Sequence, residues 1–429
     1  MKQYKFGTDN LDELYGILAG RSPEGRRDVE ETVAGILLNV KQRGDEAVCE
    51  YTRKFDGVDV SPQTMEISQD EMTNALMAVD KELLKIIEKA AANIRAFHER
   101  QKENSWFSTE SNGTILGQKI TPLERVGVYA PAGTAPLPST VLMDIIPAKV
   151  AGVEEIILCS PPGKDGKVNS LVLACAKVAG VDRVFTVGGA QAIAAMAYGT
   201  QTIPKVDKIT GPGNIYVTVA KKQVFGVCGI DMTAGPSEVL VIADETANPE
   251  YVAADLLSQA EHDVLASAIL VTTSEDVVQG VIKALEAQTA ALPRGNIAAK
   301  SLDSYGAIVL VPDLDTALSV SNRIAPEHLQ ICTEDPFSML SGVKHAGAIF
   351  LGEYSPEPVG DYFAGPNHTL PTAGTARFFS PLGVYDFVKR SSVIGYTKKA
   401  FQEAAPCVAA FAEAEGLHAH ARSITIRQK

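Results

Sequence analysis

Two polar residues follow the apolar face of a helix predicted to begin after Asn248. Asn is a favoured helix cap and Pro249 fits the first turn, so the helix start is well marked. Gln259 continues the apolar row that begins in residues 252–256, and His262 stands one turn further on nearly the same side. An amide oxygen and an imidazole nitrogen suit zinc, manganese or cobalt. Two hydrogen-bonded core residues would show the same spacing, so this alternative stays open.

A carboxylate stands beside an imidazole directly after a proline. Pro326 disfavours helical backbone at Ala325, so we expect an extended residue and a turn there. Glu327 and His328 follow, and both groups can be tuned to exchange protons near pH 7. A Glu–His pair is also common by chance, and the pair alone does not assign a role.

Two further segments are unusual in composition. Residues 347–389 are dense in Gly and Pro and include GDY at 360–362 and GPNH at 365–368. Long loops of this kind after a strand are more often functional than not. His418 and His420 lie near the C-terminus, where a solvated tail is the alternative to a binding role.

Glycine turns follow several predicted strands, at residues 132–134, 188–192 and 211–214. Each offers backbone amides at a strand-to-helix junction, where ligands bind in open α/β sheets. No G-x-G-x-x-G motif follows the first strand, and glycines that serve only to form a turn remain the alternative for each segment.

Composition narrows the function classes. The 429 residues include 39 Lys and Arg against 52 Asp and Glu, a net charge of −13, which argues against nucleic-acid binding. The six cysteines form no C-x-x-C pair, so neither a disulfide framework nor a structural zinc site is expected. The first residues lack the apolar stretch of a signal peptide, and no apolar run has the roughly 18 residues of a membrane span. We therefore expect a cytoplasmic protein with no membrane partner.

Short apolar runs alternate with helical segments from about residue 125 onward. Such runs are typical of strands buried in parallel sheets with crossover helices, so we predict an α/β fold with more than one sheet. The runs lie at residues 126–129, 156–159, 184–187, 239–242, 268–271, 308–311 and 348–351. Upstream, Ser68 and Glu71 form a capping-box pattern at the start of a long predicted helix.

Taken together, the chemical segments resemble the histidinol dehydrogenase family. The similar segments occur in the same order over nearly the whole chain: RVGVYAPAG at 125–133, GPGN at 211–214, AGPSE at 234–238, SQAEH at 258–262, APEHL at 325–329, GDY at 360–362, GPNH at 365–368, and EGL at 415–417 with His420.

The resemblance implies two Rossmann-like parallel-sheet domains, one inserted in the other, with small N- and C-terminal arms. We expect an arm over residues 1–25 and an inserted, NAD-contacting domain over 129–235. A split domain over 26–128 and 236–380 would hold the metal and catalytic residues, and a helical tail over 381–429 would reach a partner subunit.

The resemblance also implies the reaction and its residues. L-histidinol would be oxidised with two NAD⁺ to L-histidine through bound L-histidinaldehyde, the last step of histidine biosynthesis, with one Zn²⁺ per subunit. The implied roles are zinc ligation by Gln259, His262, Asp361 and His420; proton transfer by Glu327 and His328; substrate contact by Ser237, Glu415, His328 and the four zinc ligands; and NAD contact by Tyr129, Gln191 and Asn214.

The implied assembly is a homodimer with shared active sites, in which Glu415 and His420 cross to the neighbouring subunit. Two positions depart from the family pattern. Ala132 stands where a glycine is expected and would narrow the room near the cofactor, and His418 is an additional imidazole beside the expected ligand.

Other functions remain as alternatives. Aldehyde oxidation through a cysteine adduct is disfavoured because the cysteines mostly lie in apolar runs, so we expect a hydrated aldehyde. A paralogue oxidising another small alcohol, such as a sulfopropanediol, is the nearest rival, but Ser237 and Glu415 suit a cationic amine better than a sulfonate. A silent zinc sensor would lack the pair Glu327 and His328, and a zinc hydrolase would not use NAD.

Overall fold

The computed structural model describes residues 1–21, 27–131 and 137–428. Its strands are β1 (Lys2–Lys5), β2 (Glu66–Ile67), β3 (Trp106–Thr109), β4 (Ile115–Pro122), β5 (Arg125–Tyr129), β6 (Glu155–Ser160), β7 (Arg183–Thr186), β8 (Lys208–Thr210), β9 (Gly229–Ile230), β10 (Glu238–Ala243), β11 (Ser267–Thr272), β12 (Ala307–Leu310), β13 (His328–Cys332), β14 (Ala348–Leu351) and β15 (Val388–Gly395). Ala132, the departure noted in the sequence, lies outside the described residues.

Helices connect most of these strands. They are α1 (Leu11–Ala19), α2 (Arg27–Arg43), α3 (Asp45–Asp56), α4 (Gln69–Ala78), α5 (Lys81–Glu99), α6 (Pro138–Ala151), α7 (Ser170–Ala179), α8 (Gly189–Tyr198), α9 (Ile215–Val224), α10 (Pro249–Ala260), α11 (Glu275–Ala291), α12 (Gly295–Tyr305), α13 (Leu314–Ile324), α14 (Pro336–Met339), α15 (Glu357–Val359), α16 (Lys398–Ala414) and α17 (His418–Thr425). A π-helical segment, Gly360–Ala364, continues α15. Within the described ranges, none of these helices is both long and apolar enough to cross a membrane.

The larger unit, residues 1–101 and 123–387, contains two six-stranded sheets. Sheet A has the order β1-β12-β11-β10-β13-β14 and all of its strands are parallel. Sheet B has the order β2-β7-β6-β5-β8-β9, parallel except for β2. From β10 in sheet A the chain adds β11 and β12 on one side and then β13 and β14 on the other. From β5 in sheet B it adds β6 and β7 on one side and then β8 and β9 on the other. The α/β prediction with parallel sheets is confirmed.

The helices of residues 27–99 pack on sheet B. Val33 and Val40 of α2 share a buried cluster with Phe185 of β7, and Ile94 of α5 shares one with Val126 of β5. The sequence analysis grouped residues 26–128 with 236–380, so the packing differs from that expectation. Apolar periodicity identifies which face of a helix is buried but does not identify the sheet that covers it.

The N-terminal residues also differ from the expected arm. Strand β1 pairs with β12 in parallel as the edge of sheet A. Tyr4 and Leu14 lie in the same buried cluster as Val309 of that sheet. A four-residue strand at a sheet edge is stabilised mainly by pairing with its neighbour. Its own residues show little periodicity, so the sequence did not predict it.

The smaller unit comprises residues 102–122 and 388–428. Its antiparallel sheet has the order β15-β4-β3, and α16 and α17 complete it. The last segment was expected to be a helical tail from residue 381. Instead, Val388–Gly395 is a strand that pairs with β4 along its whole length.

Local capping signals are confirmed. Ser68 accepts a hydrogen bond from the Glu71 amide, and the Glu71 carboxylate accepts one from the Ser68 amide. The helix ends at Ala78, however, and Asp80 caps a separate helix, α5. Asn248 caps α10 as predicted.

We predict that Gly211→Ala destabilises the larger unit more than Gly226→Ala. Both glycines have positive φ, +111° and +96°, which costs about 1–3 kcal/mol for a residue with a side chain. A Cβ at Gly211 would lie 2.1 Å from the Tyr129 carbonyl oxygen, which adds about 1–3 kcal/mol of overlap, whereas Gly226 faces open space. Thermal unfolding of both variants measures the difference. Equal midpoints would contradict the close approach of β8 to β5 at this turn.

Candidate active site

A cavity of about 130 Å³ is lined by residues at the termini of the central strands of both sheets. From sheet B it is lined by residues that follow β8 and β9, which are at the carboxyl edge. From sheet A it is lined by residues at the start of β10 and β13, which are at the amino edge. The lining includes Thr140, Gly211, Pro212, Asp231, Ser237, Gln259, His262, Glu327, His328, Asp361, His368 and Thr372.

Glu327 and His328 are held by one residue of the neighbouring strand. The Glu238 amide donates to Glu327 Oε2 at 2.8 Å, and His328 Nδ1 donates to the Glu238 carbonyl at 2.9 Å. Both side chains are buried, 6% and 3% exposed. His328 Nε2 is buried and has no hydrogen-bond partner within the described ranges, and it lies 3.5 Å from Asp361 Oδ1. That nitrogen is therefore available to a ligand in the cavity.

The backbone before this pair is strained rather than extended. Ala325 has φ 55° and ψ 63°, in the left-handed region, and it is fully buried. The expectation that Pro326 makes Ala325 extended is therefore wrong. The packing of the end of α13 overrides the local preference, because the Ala325 amide caps that helix by donating to the Ser321 carbonyl. Strain of this kind is typical of functional sites.

Helix α10 brings Gln259 to the cavity because it runs back along sheet A to the amino edge. One turn earlier, Asp255 accepts a hydrogen bond from Gln330 Nε2 of β13 at 2.7 Å, which fixes the helix on the sheet. The helix ends at Ala260, and His262 lies beyond its end. His262 was expected to continue the helical row, but a turn brings it to the cavity instead.

The Gln259 amide is satisfied when its nitrogen faces a buried carboxylate. Nε2 then donates to the two oxygens of Glu357, at 3.1 and 3.0 Å. Ser258 Oγ donates to the same carboxylate at 3.2 Å. The other amide atom, the carbonyl oxygen in this orientation, lies 3.3 Å from His262 Nδ1. Two ligand atoms at that separation can coordinate the same metal ion, since zinc ligands lie about 2.0–2.2 Å from the metal.

An uncharged histidine, His368, holds the backbone of Asp361. His368 Nδ1 donates to the Asp361 carbonyl at 3.0 Å, and Thr140 Oγ1 donates to His368 Nε2 at 3.3 Å. Burial lowers the pKa of His368, so it stays neutral and can make both bonds. Asn367 Nδ2 donates to the Met143 carbonyl. The GPNH segment therefore ties this loop to α6.

Buried carboxylates dominate the electrostatics. Burial raises the pKa of Glu327 to about 8 and also raises that of Glu357. For His328, burial lowers the pKa, but Glu327, Glu357 and Asp361 outweigh it and raise the pKa to about 10. Burial opposes ionisation of Asp361 too, yet the imidazole of His328, 3.5 Å away, brings the pKa of Asp361 below its usual value. A divalent cation would offset the same negative charge and so lower the pKa of His328.

The donors present fit a divalent metal. Ligating atoms of His328, Glu357 and Asp361 all lie within 4.8 Å of one another. Gln259 and His262, which also line the cavity, add an amide and an imidazole. Both this cluster and the predicted ligand set contain Asp361. Glu357 was missed because a carboxylate between two prolines gives no sign that it will be buried.

The remaining predicted site residues divide between the two units. Ser237 lines the cavity just before β10. Glu415 follows α16 and His420 lies in α17, both in the smaller unit and both exposed in the single chain. His418 begins α17 and is likewise exposed. The roles of Glu415 and His420 across a subunit interface stay predictions.

The three residues expected to contact NAD lie along the carboxyl edge of sheet B. Tyr129 ends β5, and its hydroxyl accepts a hydrogen bond from the Gly189 amide at 3.1 Å. Gln191, in the first turn of α8, is buried, and neither atom of its amide has a partner among the described residues. The Asn214 carbonyl oxygen caps α9, which leaves its amide nitrogen for a ligand. An orphaned buried amide beside a glycine turn fits a polar ligand such as a dinucleotide.

No cysteine is among the cavity residues that the structure describes. Cys332, in the same strand as His328, lies at the opposite end of β13. Burial raises its pKa to about 12, and it raises those of Cys159 and Cys175 to about 12 as well. A cysteine thiolate is therefore not placed for chemistry at this site.

Comparison with known proteins gives consistent matches. A family model described as histidinol dehydrogenase matches residues 20–428. A histidinol dehydrogenase of Syntrophotalea carbinolica is 53% identical over 429 residues, covering 100% of this chain and 99% of that protein. One of Aquifex aeolicus is 55% identical over 418 residues, 97% of each chain. The crystal structure of histidinol dehydrogenase from Elizabethkingia anophelis matches with a TM-score of 0.94 and 41% identity, over 100% of this chain and 98% of that chain.

We predict that Glu357→Gln weakens zinc binding about 10–100-fold, the usual effect of removing a partner that orients a ligand. Glu357 holds the Gln259 amide, and the neutral variant loses the charge that fixes its orientation. Competition with a chromophoric chelator measures the affinity.

Glu353→Gln is the matched control, since Glu353 is exposed on the same segment. Its zinc affinity should equal that of the unmodified protein, and His262→Asn should lose zinc more completely than Glu357→Gln. Unchanged affinity in the Glu357 variant would show that this carboxylate does not support the metal site.

Proposed function

The chain belongs to the histidinol dehydrogenase family of oxidoreductases, and from that premise we propose that it oxidises L-histidinol to L-histidine in two NAD⁺-dependent steps with a bound zinc ion. L-histidinaldehyde would stay bound between the steps. The reaction would be the last step of histidine biosynthesis, and the enzyme would work as a homodimer in the cytoplasm.

One observation carries the proposal. His328 Nε2 has no partner among the described residues, and it shares the cavity with the buried Glu327 carboxylate and a group of metal-suited donors. A proton acceptor, a second acid–base group and metal ligands within one small cavity match an oxidation in which a hydroxyl proton and then a water proton must be removed.

Zinc and NAD⁺ would supply the metal template and the hydride acceptor that the side chains lack. Zinc held by Gln259, His262, Asp361 and the partner subunit's His420 would orient the substrate's imidazole and amine, since both are good donors to this metal. NAD⁺ at the edge near Tyr129, Gln191 and Asn214 would accept a hydride in each oxidation.

His328 would remove the hydroxyl proton in the first oxidation. Its Nδ1 is committed to the Glu238 carbonyl, so Nε2 faces the substrate. A bound divalent ion would lower the pKa of the imidazole, so that neutral Nε2 takes the proton as the carbinol carbon loses hydride. Orientation of the substrate beside Nε2 contributes several kcal/mol to the barrier reduction. The product of this step is the aldehyde.

Glu327 would prepare the second oxidation. The aldehyde has to be hydrated before another hydride can leave. As water adds, Glu327 would take a proton from it, and His328 would return to the aldehyde oxygen the proton that it took in the first oxidation, which forms the diol and frees Nε2. The raised pKa of Glu327, about 8, suits a group that exchanges protons near neutral pH. His328 then takes a proton from the diol as the second hydride leaves, which yields the acid. The high pKa of Cys332 is consistent with this route rather than a thiol adduct.

Charge supports an amino alcohol as substrate. Glu327, Glu357 and Asp361 give the cavity a negative character that disfavours the anionic group of a sulfonate and accommodates a metal-bound amine. Ser237 and, across the dimer, Glu415 would bind the amine. A sulfopropanediol would instead bring an anion to these carboxylates.

We predict NADH formation from L-histidinol that is lost on chelation and recovered on adding zinc. About two NADH should form per histidinol because both steps occur at one site. Absorbance at the NADH band follows the reaction, and dihydroxypropanesulfonate is the comparison substrate. Faster turnover of the sulfonate would support the paralogue, and no NADH from either alcohol would reject the proposed reaction.

We predict that Glu327→Gln separates the two oxidations. Hydration of the aldehyde loses its base, so oxidation of supplied L-histidinaldehyde should fall at least about 10-fold more than the first oxidation of L-histidinol, within the usual range for general-base loss. Single-turnover measurements compare the two steps. Equal retention of both rates would remove Glu327 from the chemistry.

A further inference from the structure

We propose that Arg21 is a positioning residue that holds the Ser237–Glu238 peptide in the orientation required by Glu327 and His328. The inference rests on the proposed function, in which those two side chains move protons. Arg21 lies in the N-terminal segment, far along the chain from the cavity residues, and it does not line the cavity.

The Arg21 guanidinium is buried, with the residue 5% exposed, and is bonded on all three nitrogens. It bonds to five groups: Nε to the Leu265 carbonyl (2.7 Å), Nη1 to Glu238 Oε1 (3.1 Å) and Ser267 Oγ (2.6 Å), and Nη2 to the carbonyls of Pro236 (3.0 Å) and Ser237 (3.1 Å). Five donors in a planar fork meet five acceptors, an arrangement that Lys, with three donors on one atom, cannot reproduce.

One peptide group connects Arg21 to the catalytic carboxylate. The Ser237 carbonyl accepts from Arg21, and the Glu238 amide of the same peptide plane donates to Glu327 Oε2 at 2.8 Å. Because a peptide group is planar, fixing its oxygen fixes the direction of its N–H. Hydrogen bonding at the oxygen also polarises the amide and strengthens its bond to Glu327.

The same residue of β10 connects Arg21 to the imidazole. Arg21 forms a buried ion pair with the Glu238 side chain, and the Glu238 carbonyl accepts from His328 Nδ1 at 2.9 Å. That bond keeps Nε2 directed into the cavity. Displacement of residues 236–238 would therefore misplace both proton-transfer groups at once.

The proposed metal ligands lie on other elements. Gln259 and His262 are at the end of α10, and Asp361 is in the segment after α15. Arg21 bonds to none of them, since its five partners are on residues 236–238, 265 and 267. A positioning role therefore predicts a loss of turnover without a loss of zinc.

The test compares Arg21→Lys with the purified enzyme in its zinc form. Misplacement of catalytic groups by about 1 Å costs about 100-fold, so kcat should fall about 10–100-fold while KM for L-histidinol stays within about threefold. Oxidation of supplied L-histidinaldehyde should fall more than that of L-histidinol, because the affected peptide bonds directly to Glu327. Zinc content should not change.

Thr202→Val is the matched control. Thr202 Oγ1 donates to the carboxylate of buried Asp45 at 2.6 Å, so this variant also loses a hydrogen bond to a buried carboxylate, and neither residue bonds to residues 236–238. Its melting temperature should fall, and its kcat should stay within about twofold. If Arg21→Lys does not fold, the double variant Arg21→Met with Glu238→Gln removes the guanidinium without leaving a buried charge, and the same loss of kcat is expected.

Several results would overturn the inference. They are a folded Arg21 variant with kcat within threefold, a loss that appears only in KM or in zinc content, and an equal loss of kcat in Thr202→Val. Failure of the proposed function is distinguishable, because the unmodified enzyme would then form no NADH from L-histidinol.

Discussion

Concentrated negative charge in a buried cavity is the constraint on which the site depends. Glu327, Glu357 and Asp361 surround the imidazole of His328, and burial of ionised carboxylates is costly unless cations or hydrogen bonds compensate them. Hydrogen bonds satisfy part of the demand, as the Glu238 amide does for Glu327. A divalent ion held by these donors would offset part of the remainder. The same carboxylates raise the pKa of the His328 imidazole.

Sheet topology decides where these charges meet. In each sheet of the larger unit the strand order reverses direction between two central strands, β10 and β13 in sheet A and β5 and β8 in sheet B. Open α/β sheets bind ligands at the carboxyl edge of such a pair. Sheet B follows this rule, with Gly211 after β8 at the cavity. Sheet A contributes its amino edge instead, through the starts of β10 and β13. One sheet therefore presents turn amides suited to a nucleotide, and the other presents side chains suited to proton transfer and metal binding.

The sequence predicted the local features well. The seven strands predicted from apolar runs, the Asn248 cap and the capping box at Ser68 depend on short-range periodicity and backbone amides, which neighbouring residues determine. Glu327, His328 and Gln259 were identified from residue type, spacing and family resemblance, and the fold brings them to one cavity. Glu357 was not identified, because its burial depends on helix α10, about 100 residues earlier in the chain.

Residue types and local patterns were thus enough to determine the α/β class and the side chains able to do chemistry. Tertiary structure alone decided that residues 27–99 cover sheet B, that Ala325 adopts a left-handed conformation, and that Arg21 bonds to the Ser237–Glu238 peptide. The physical reason is the distance along the chain over which each interaction acts. Hydrogen bonds along the backbone depend on near neighbours, whereas burial and desolvation depend on surfaces that meet only once the whole chain has folded.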